Sequence, residues 1–210
     1  MTKGDNIKSL DFLKKKALEL GAVAAKIIPV EKIVIEDRIV FKCRQGCEKY
    51  GKTLACPPYA PSPSEFRKIV SEYRYALFMK FKTHAEANVE LRTYLTKTSD
   101  LTLPIEMEAK VESFWAAWNE DMEKLRDTVI VLEKAATEKG FLLAAGLTSG
   151  SCQVCEKCNV EKGVCVHPEK RRFSEEAVGV NVKATAEKAG IKFTLPFNKS
   201  PETFALLLID

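Results

Sequence analysis

Seven cysteines crowd into two short stretches of this 210-residue chain, and whatever it folds into must account for them. One stretch is Cys152-x2-Cys155-x2-Cys158-x6-Cys165, followed closely by His167 and Pro168; the other is Cys43-x3-Cys47-x8-Cys56, followed by Pro57 and Pro58. An odd number of thiols, with no apolar signal-peptide core near the amino terminus, argues against a disulfide framework and for metal ligation or thiol chemistry. Thiols packed so closely without a ligand would be an oxidation liability. Both stretches are rich in residues that interrupt regular structure, so segments 43–63 and 148–173 are expected as irregular loops that a metal organises.

The spacing discriminates between metals. Two-residue gaps let successive thiolates converge on one face of a tight loop, which is how cysteines hold an iron–sulfide cubane. Zinc sites usually pair C-x2-C knuckles across a longer spacer. Cys152, Cys155, Cys158 and Cys165 therefore suit one four-iron, four-sulfur (4Fe–4S) cluster, with His167 as a further ligand or proton-relay candidate. Cys43, Cys47 and Cys56 supply three soft donors and no obvious fourth. Their centre can be a second cluster with one iron open, a cluster completed by a residue from elsewhere, or a Cys3His zinc site using His167 or His84. A cluster ligated by cysteine throughout passes electrons only, whereas an open iron can polarise a substrate as a Lewis acid. Structural zinc would instead fold a loop that lacks a core of its own.

Charge follows the thiols. Residues 38–56 carry +4 and residues 151–172 carry +2, against +4 for the whole chain, so the remainder is net −2. Such cations are expected to lower thiol pKa values and to offset buried negative charge. Lys42, Arg44, Lys49 and Lys52 also offer a contact face to an acidic partner. No recognition-helix or RNP pattern accompanies them, so nucleic acid is not an expected partner. Residues 46–53 match the Walker A expression and residues 205–210 imitate a Walker B strand. A phosphate loop must run straight into a helix, and Cys56-Pro57-Pro58 forbids one there. Ser149 and Ser151 have no base partner, and their loop is expected to give backbone N–H groups to sulfur or an anion.

Periodicity places the remaining elements. Helices are expected at 6–20, 64–71 and 104–139, the last carrying Met107, Val111, Phe114, Trp118, Met122, Leu125, Val129, Leu132 and Ala136 at steps of three and four, with a break possible near 119–121. That stripe reads as core or as a helix-pair seam through which a homodimer could form. A further helix is expected from Ser174 to Gly190, with Glu175 and Glu176 favoured in its first turn by the helix dipole. Strands are expected at 22–28, 32–35, 75–81, 141–145, 192–195 and 204–209. The fold class is α+β, or mixed-sheet α/β, in a single domain over 1–210 with two cysteine-rich loops and one long helix. No apolar run approaches the roughly 20 residues of a membrane helix, so the expected location is cytoplasmic, with no membrane partner.

The series CRQGCEKYGKTLACPPYAPSPSEFRKI and GFLLAAGLTSGSCQVCEKCNVEKGVCVHPEKRRFSEEAVGVNV resembles an uncharacterised prokaryotic cysteine-rich family described as predicted metal-binding proteins, a domain of unknown function. All seven cysteines fall on the pattern, with Tyr50-Gly51, Pro57-Pro58, Pro61, Phe66-Arg67, Pro168-Glu169 and the stretch 176–182. The run Arg171-Arg172-Phe173-Ser174-Glu175-Glu176 departs from it, and Asn181 replaces an aspartate; the ligands are untouched. What the resemblance implies is metal binding, by iron–sulfur chemistry, without naming a reaction. Electron transfer to a redox partner protein is the leading expectation. An enzyme or ligand-binding protein using an open iron is the second, and a structural zinc module for protein contact the third.

Overall fold

A computed structural model of the chain describes residues 9–95, 104–197 and 199–210. Its centre is a pair of antiparallel strands, β2 (Tyr75–Lys82) and β4 (Glu202–Ile209), whose runs YALFMKFK and ETFALLLI are apolar on both faces. Such runs suit strands covered on two sides. β1 (Ala24–Pro29) and the short β3 (Ala145–Leu147) flank the pair in the order β1-β2-β4-β3, with every pairing antiparallel. The register sets Tyr75 opposite Ile209, Ala24 opposite Lys80 and Ala145 opposite Leu208.

Because strand side chains alternate, this register sorts the sheet into two cores. On one face Ile28, Ala76, Phe78, Phe204, Leu206 and Leu208 pack against α3 (Pro63–Ser71) and α6 (Val182–Ala189). On the other, Leu77, Met79, Ala205, Leu207 and Ile209 meet α1 (Asp11–Glu19) and α5 (Ile105–Glu138). The described residues hold six α-helices and a four-stranded antiparallel sheet, a single α+β domain with one long helix. The mixed-sheet alternative is excluded by the pairing. α5 is unbroken, and its expected stripe is core: Met107, Phe114, Met122, Leu125, Val129, Leu132 and Ala136 are buried. None of the described helices is long and apolar enough to cross a membrane.

Several expected elements are corrected. Residues 32–35 form no strand: a 3-10 turn, Val30–Lys32, ends β1, and the backbone beyond it is satisfied elsewhere. Val34 N–H donates to Thr185 Oγ1 at 3.0 Å, its carbonyl accepts from Asn181 N–H at 2.7 Å, and Glu36 N–H donates to the Gly179 carbonyl. Residues 192–195 are likewise no strand, since side chains claim their backbone: Lys80 Nζ donates to the Lys192 carbonyl and Thr194 N–H donates to Glu202 Oε2. The strand expected at 141–145 begins only at Ala145, because Phe141 N–H still closes the α5 terminus on Ala136 O. α2 (Asp37–Gly46) and α4 (Val89–Leu95) were not expected at all, and α2 makes Cys43 helical rather than part of a loop. The helix from Ser174 is instead a 3-10 turn, Glu176–Val178, closed by Gly179 at φ +90°, before Asn181 caps α6. The first helix agrees from Asp11 onward; residues 6–8 of the expected span lie outside the described residues.

Candidate metal centre

The long loop between β3 and the Glu176 turn is tied shut at its base. Thr148 N–H donates to the Phe173 carbonyl and Glu175 N–H to the Thr148 carbonyl, both at 2.9 Å. Glu133, on α5, holds both ends as well. Its Oε1 accepts Gly146 N–H at 2.7 Å and Arg172 Nε at 2.9 Å. Inside this frame Cys152, Cys155, Cys158 and Cys165 sit half-buried on a segment without helix or strand, turned at Gly163 (φ +64°). The first window starts on α2: Cys43 lies in its last turn and Cys47 N–H donates to the Cys43 carbonyl. Turns then carry the chain to a buried Cys56, whose carbonyl accepts from Tyr59 and Ala60.

The two windows, a hundred residues apart in sequence, meet. Leu54 N–H donates to Cys158 Sγ at 3.4 Å. Negative charge on Cys47, Cys152 or Cys158 pushes the Cys56 thiol up, and charge on Cys47 or Cys56 does the same to Cys43. None of the seven is disulfide-bonded. Soft donors in two adjoining groups suit a thiophilic metal in their chemistry, although among the described residues no three donors stand at metal-holding distance.

Burial is the largest influence on Cys43, Cys56 and Cys152, pushing all three thiols up, and neighbouring thiols add to the rise. Lys42 opposes it at Cys43, the Thr53 hydroxyl at Cys56 and the Val154 N–H at Cys152. The expectation that nearby cations depress these thiols is thus corrected: desolvation outweighs them. Metal must displace the protons, so affinity for metal rises with pH.

A cleft of about 760 Å³ opens beside the second window, lined by its four cysteines, by residues 51–55 and by Asn119, Glu123 and Arg126 of α5. Ser149 and Ser151 line it too, but the backbone N–H groups facing sulfur are those of Leu54 and Val154. His167 has Nδ1 3.6 Å from Glu169 Oε1 and an exposed ring. His84 bonds Asp121 at 2.8 Å and lines a separate cleft with Leu91 and Phe114. Each ring is thus turned to a carboxylate. The Walker A match has no phosphate cradle, because Gly46 ends a helix and the next one starts only at Pro63.

Glu133, Glu175 and Glu176 escaped the sequence analysis as site residues. The dipole explanation for the last two is overturned, since only a three-residue 3-10 turn begins there. Glu175 is 0% exposed with neither carboxylate oxygen hydrogen-bonded, and burial, helped by Glu176, holds its carboxyl well above the usual range. The one sequence signal was their position inside an apolar run, Glu-Glu-Ala-Val-Gly-Val. A raised carboxyl contributes its stability below the unfolded-state pKa and loses it as pH climbs through the folded value. Glu175→Gln should therefore melt above the wild type at pH 8, by roughly 2–4 °C for each kcal/mol relieved, with the gap closing toward pH 4. Melting curves followed by circular dichroism across that range test this; parallel pH profiles would refute it.

An α+β domain that brings two cysteine-rich windows, remote in sequence and free of disulfides, against one another carries the donor chemistry of a metal-binding protein. The chain belongs to the family described as predicted metal-binding protein (DUF2284), whose model matches residues 26–209, from β1 through both windows to the end of β4. No curated protein and no solved structure matches it.

Proposed function

We propose that the chain is an iron–sulfur electron carrier, with one 4Fe–4S cluster on Cys152, Cys155, Cys158 and Cys165 and a second centre on Cys43, Cys47 and Cys56. The observation that carries this reading is the Leu54 N–H, two residues before Cys56, donating to Cys158 Sγ at 3.4 Å, which makes the two windows neighbours. Such centres supply one-electron chemistry when bound. Adjacent sets suit relay. The four-cysteine set lines the open cleft, and in the other set Cys47 is exposed while Cys56 is buried. The chain's own groups then tune the sulfurs: the Leu54 N–H that donates to Cys158 Sγ favours the more negative, reduced state. Lys49, Lys52, Lys157 and Arg171 rim the cleft, where they offset anionic charge and present a face to an acidic redox partner. Thiols of this kind ask for a reducing compartment, the cytoplasm.

The open-iron reading would place a substrate at the three-cysteine centre. The cleft favours it less, because its lining includes the four cysteines of the second window and none of Cys43, Cys47 and Cys56. Metal and sulfide analysis of anaerobically purified protein, with visible absorption and EPR after reduction, tests the proposal. Brown protein holding iron and sulfide is expected. Colourless protein holding zinc would replace the redox account with the structural one.

A further inference from the structure

We infer that the Val164-Cys165-Val166 segment of the second window is the surface on which an acidic one-electron redox protein docks; this rests on the reading that the window holds a cluster. Single exposed apolar side chains are ordinary on a protein surface. These two differ in their setting. Val164 and Val166 are 61% and 57% exposed, and they flank a half-buried cysteine that lines the cleft. Turns on both sides fix the segment. Before it, Gly163, at φ +64°, donates its N–H to the Val160 carbonyl at 3.0 Å, and the Asn159 side-chain amide donates to the Val164 carbonyl at 3.2 Å. After it, the His167 carbonyl accepts from the Lys170 and Arg171 N–H groups, both at 3.1 Å. A segment already pinned at each end loses little freedom when a partner covers it.

Charge selects the partner. Lys162 and Lys170 stand exposed on either side of the valines in sequence, and neither is in an ion pair among the described residues. The acids nearby are engaged: Glu161 lies 3.8 Å from Lys157 and Glu169 lies 3.6 Å from His167. An apolar centre with free cations at its rim complements an anionic surface. Electron-transfer encounters bury little, below about 1,200 Å² in total, so a contact of this size suffices. One electron passes by way of the Cys165 sulfur, reducing the partner's centre and oxidising the window's; no bond forms or breaks and no proton moves.

Two forms of one oxidant test this: cytochrome c, which is cationic, and the same protein succinylated, which is anionic. Mixed in stopped flow with the full chain, reduced and freed of dithionite, the succinylated form should react faster at low salt and lose that advantage at high salt. Lys162→Glu with Lys170→Glu should slow it about tenfold. The same charge change on α1, Lys14→Glu with Lys15→Glu, should leave the rate within about twofold. α1 packs on β1, at the sheet edge opposite β3, from which the second window departs. Val164→Ser with Val166→Ser should slow the succinylated form about fivefold yet spare ferricyanide, which needs no docking surface. Calorimetric binding of the succinylated form to the full chain should weaken in the same two window variants. Equal slowing by the α1 pair, or an unchanged rate in the valine pair, would overturn the docking surface and leave the electron carrier standing. Reduced protein that gives no electron to ferricyanide would overturn the carrier reading itself.

Discussion

Cys158→Ser should strip the anaerobically reconstituted protein of about half its iron and sulfide, leaving the EPR signal of one reduced centre in place of two. Cys158 is the most revealing of the seven because the second window touches the first there. It is the third donor of the four-cysteine set, and its sulfur accepts the Leu54 N–H. Serine keeps the shape and removes the soft donor, so a four-cysteine cluster loses an iron corner while the other centre keeps all its ligands. Cys56→Ser should do the converse and spare the second window. If either substitution empties both centres, the windows share one cluster, an outcome that the adjacency of Cys56 to Cys152 and Cys158 makes specific. Unchanged iron in Cys158→Ser would end the assignment. Stability should follow metal content, because residues 148–173 contain neither helix nor strand and a bound metal would add cross-links to them.

What could be read from sequence was whatever is written locally. β2 and β4 announced themselves as apolar runs and α5 as a stripe at helical spacing, and burial on two faces or one confirms each. The thiols were legible for the same reason, since ligand spacing is local chemistry. What failed was decided by distant side chains. Residues 192–195 have strand-like composition, yet Lys80 and Glu202 occupy the backbone groups a neighbouring strand would need. Glu175 and Glu176 looked like a helix start because adjacent acids usually are; a 3-10 turn stands there instead, held to the start of α2 by the Glu36 N–H bond to the Gly179 carbonyl. The joining of Leu54 to Cys158 spans 104 residues, and no spacing rule reaches so far.

Glu133→Ala should cost the protein about 3 kcal/mol and loosen the second window at both ends. Glu133 and Arg172 are only 15% and 19% exposed, and the pair is bidentate, so truncation leaves an arginine largely buried without its counter-charge. The Gly146 N–H loses its acceptor too. Packing holds this contact in place: a β-carbon at Gly146 would lie 2.1 Å from Val129 Cγ1, one helical turn before Glu133, so the strand backbone rests directly on α5. Relaxation has little room, and the unpaired groups stay buried. In denaturant titrations the midpoint should fall with the slope unchanged. Glu133→Gln should fall less, as it keeps an acceptor for Gly146 while losing the charge. Adding Arg172→Ala to Glu133→Ala should return part of the loss, because the stranded cation goes with it. A Glu133→Ala protein within about 0.5 kcal/mol of wild type would mean that the clamp holds nothing. The same variant bears on function, since thiols on a loop free at both ends must pay more ordering entropy to grip a metal. Its iron retention under a chelator should therefore drop, even though every cysteine is still present.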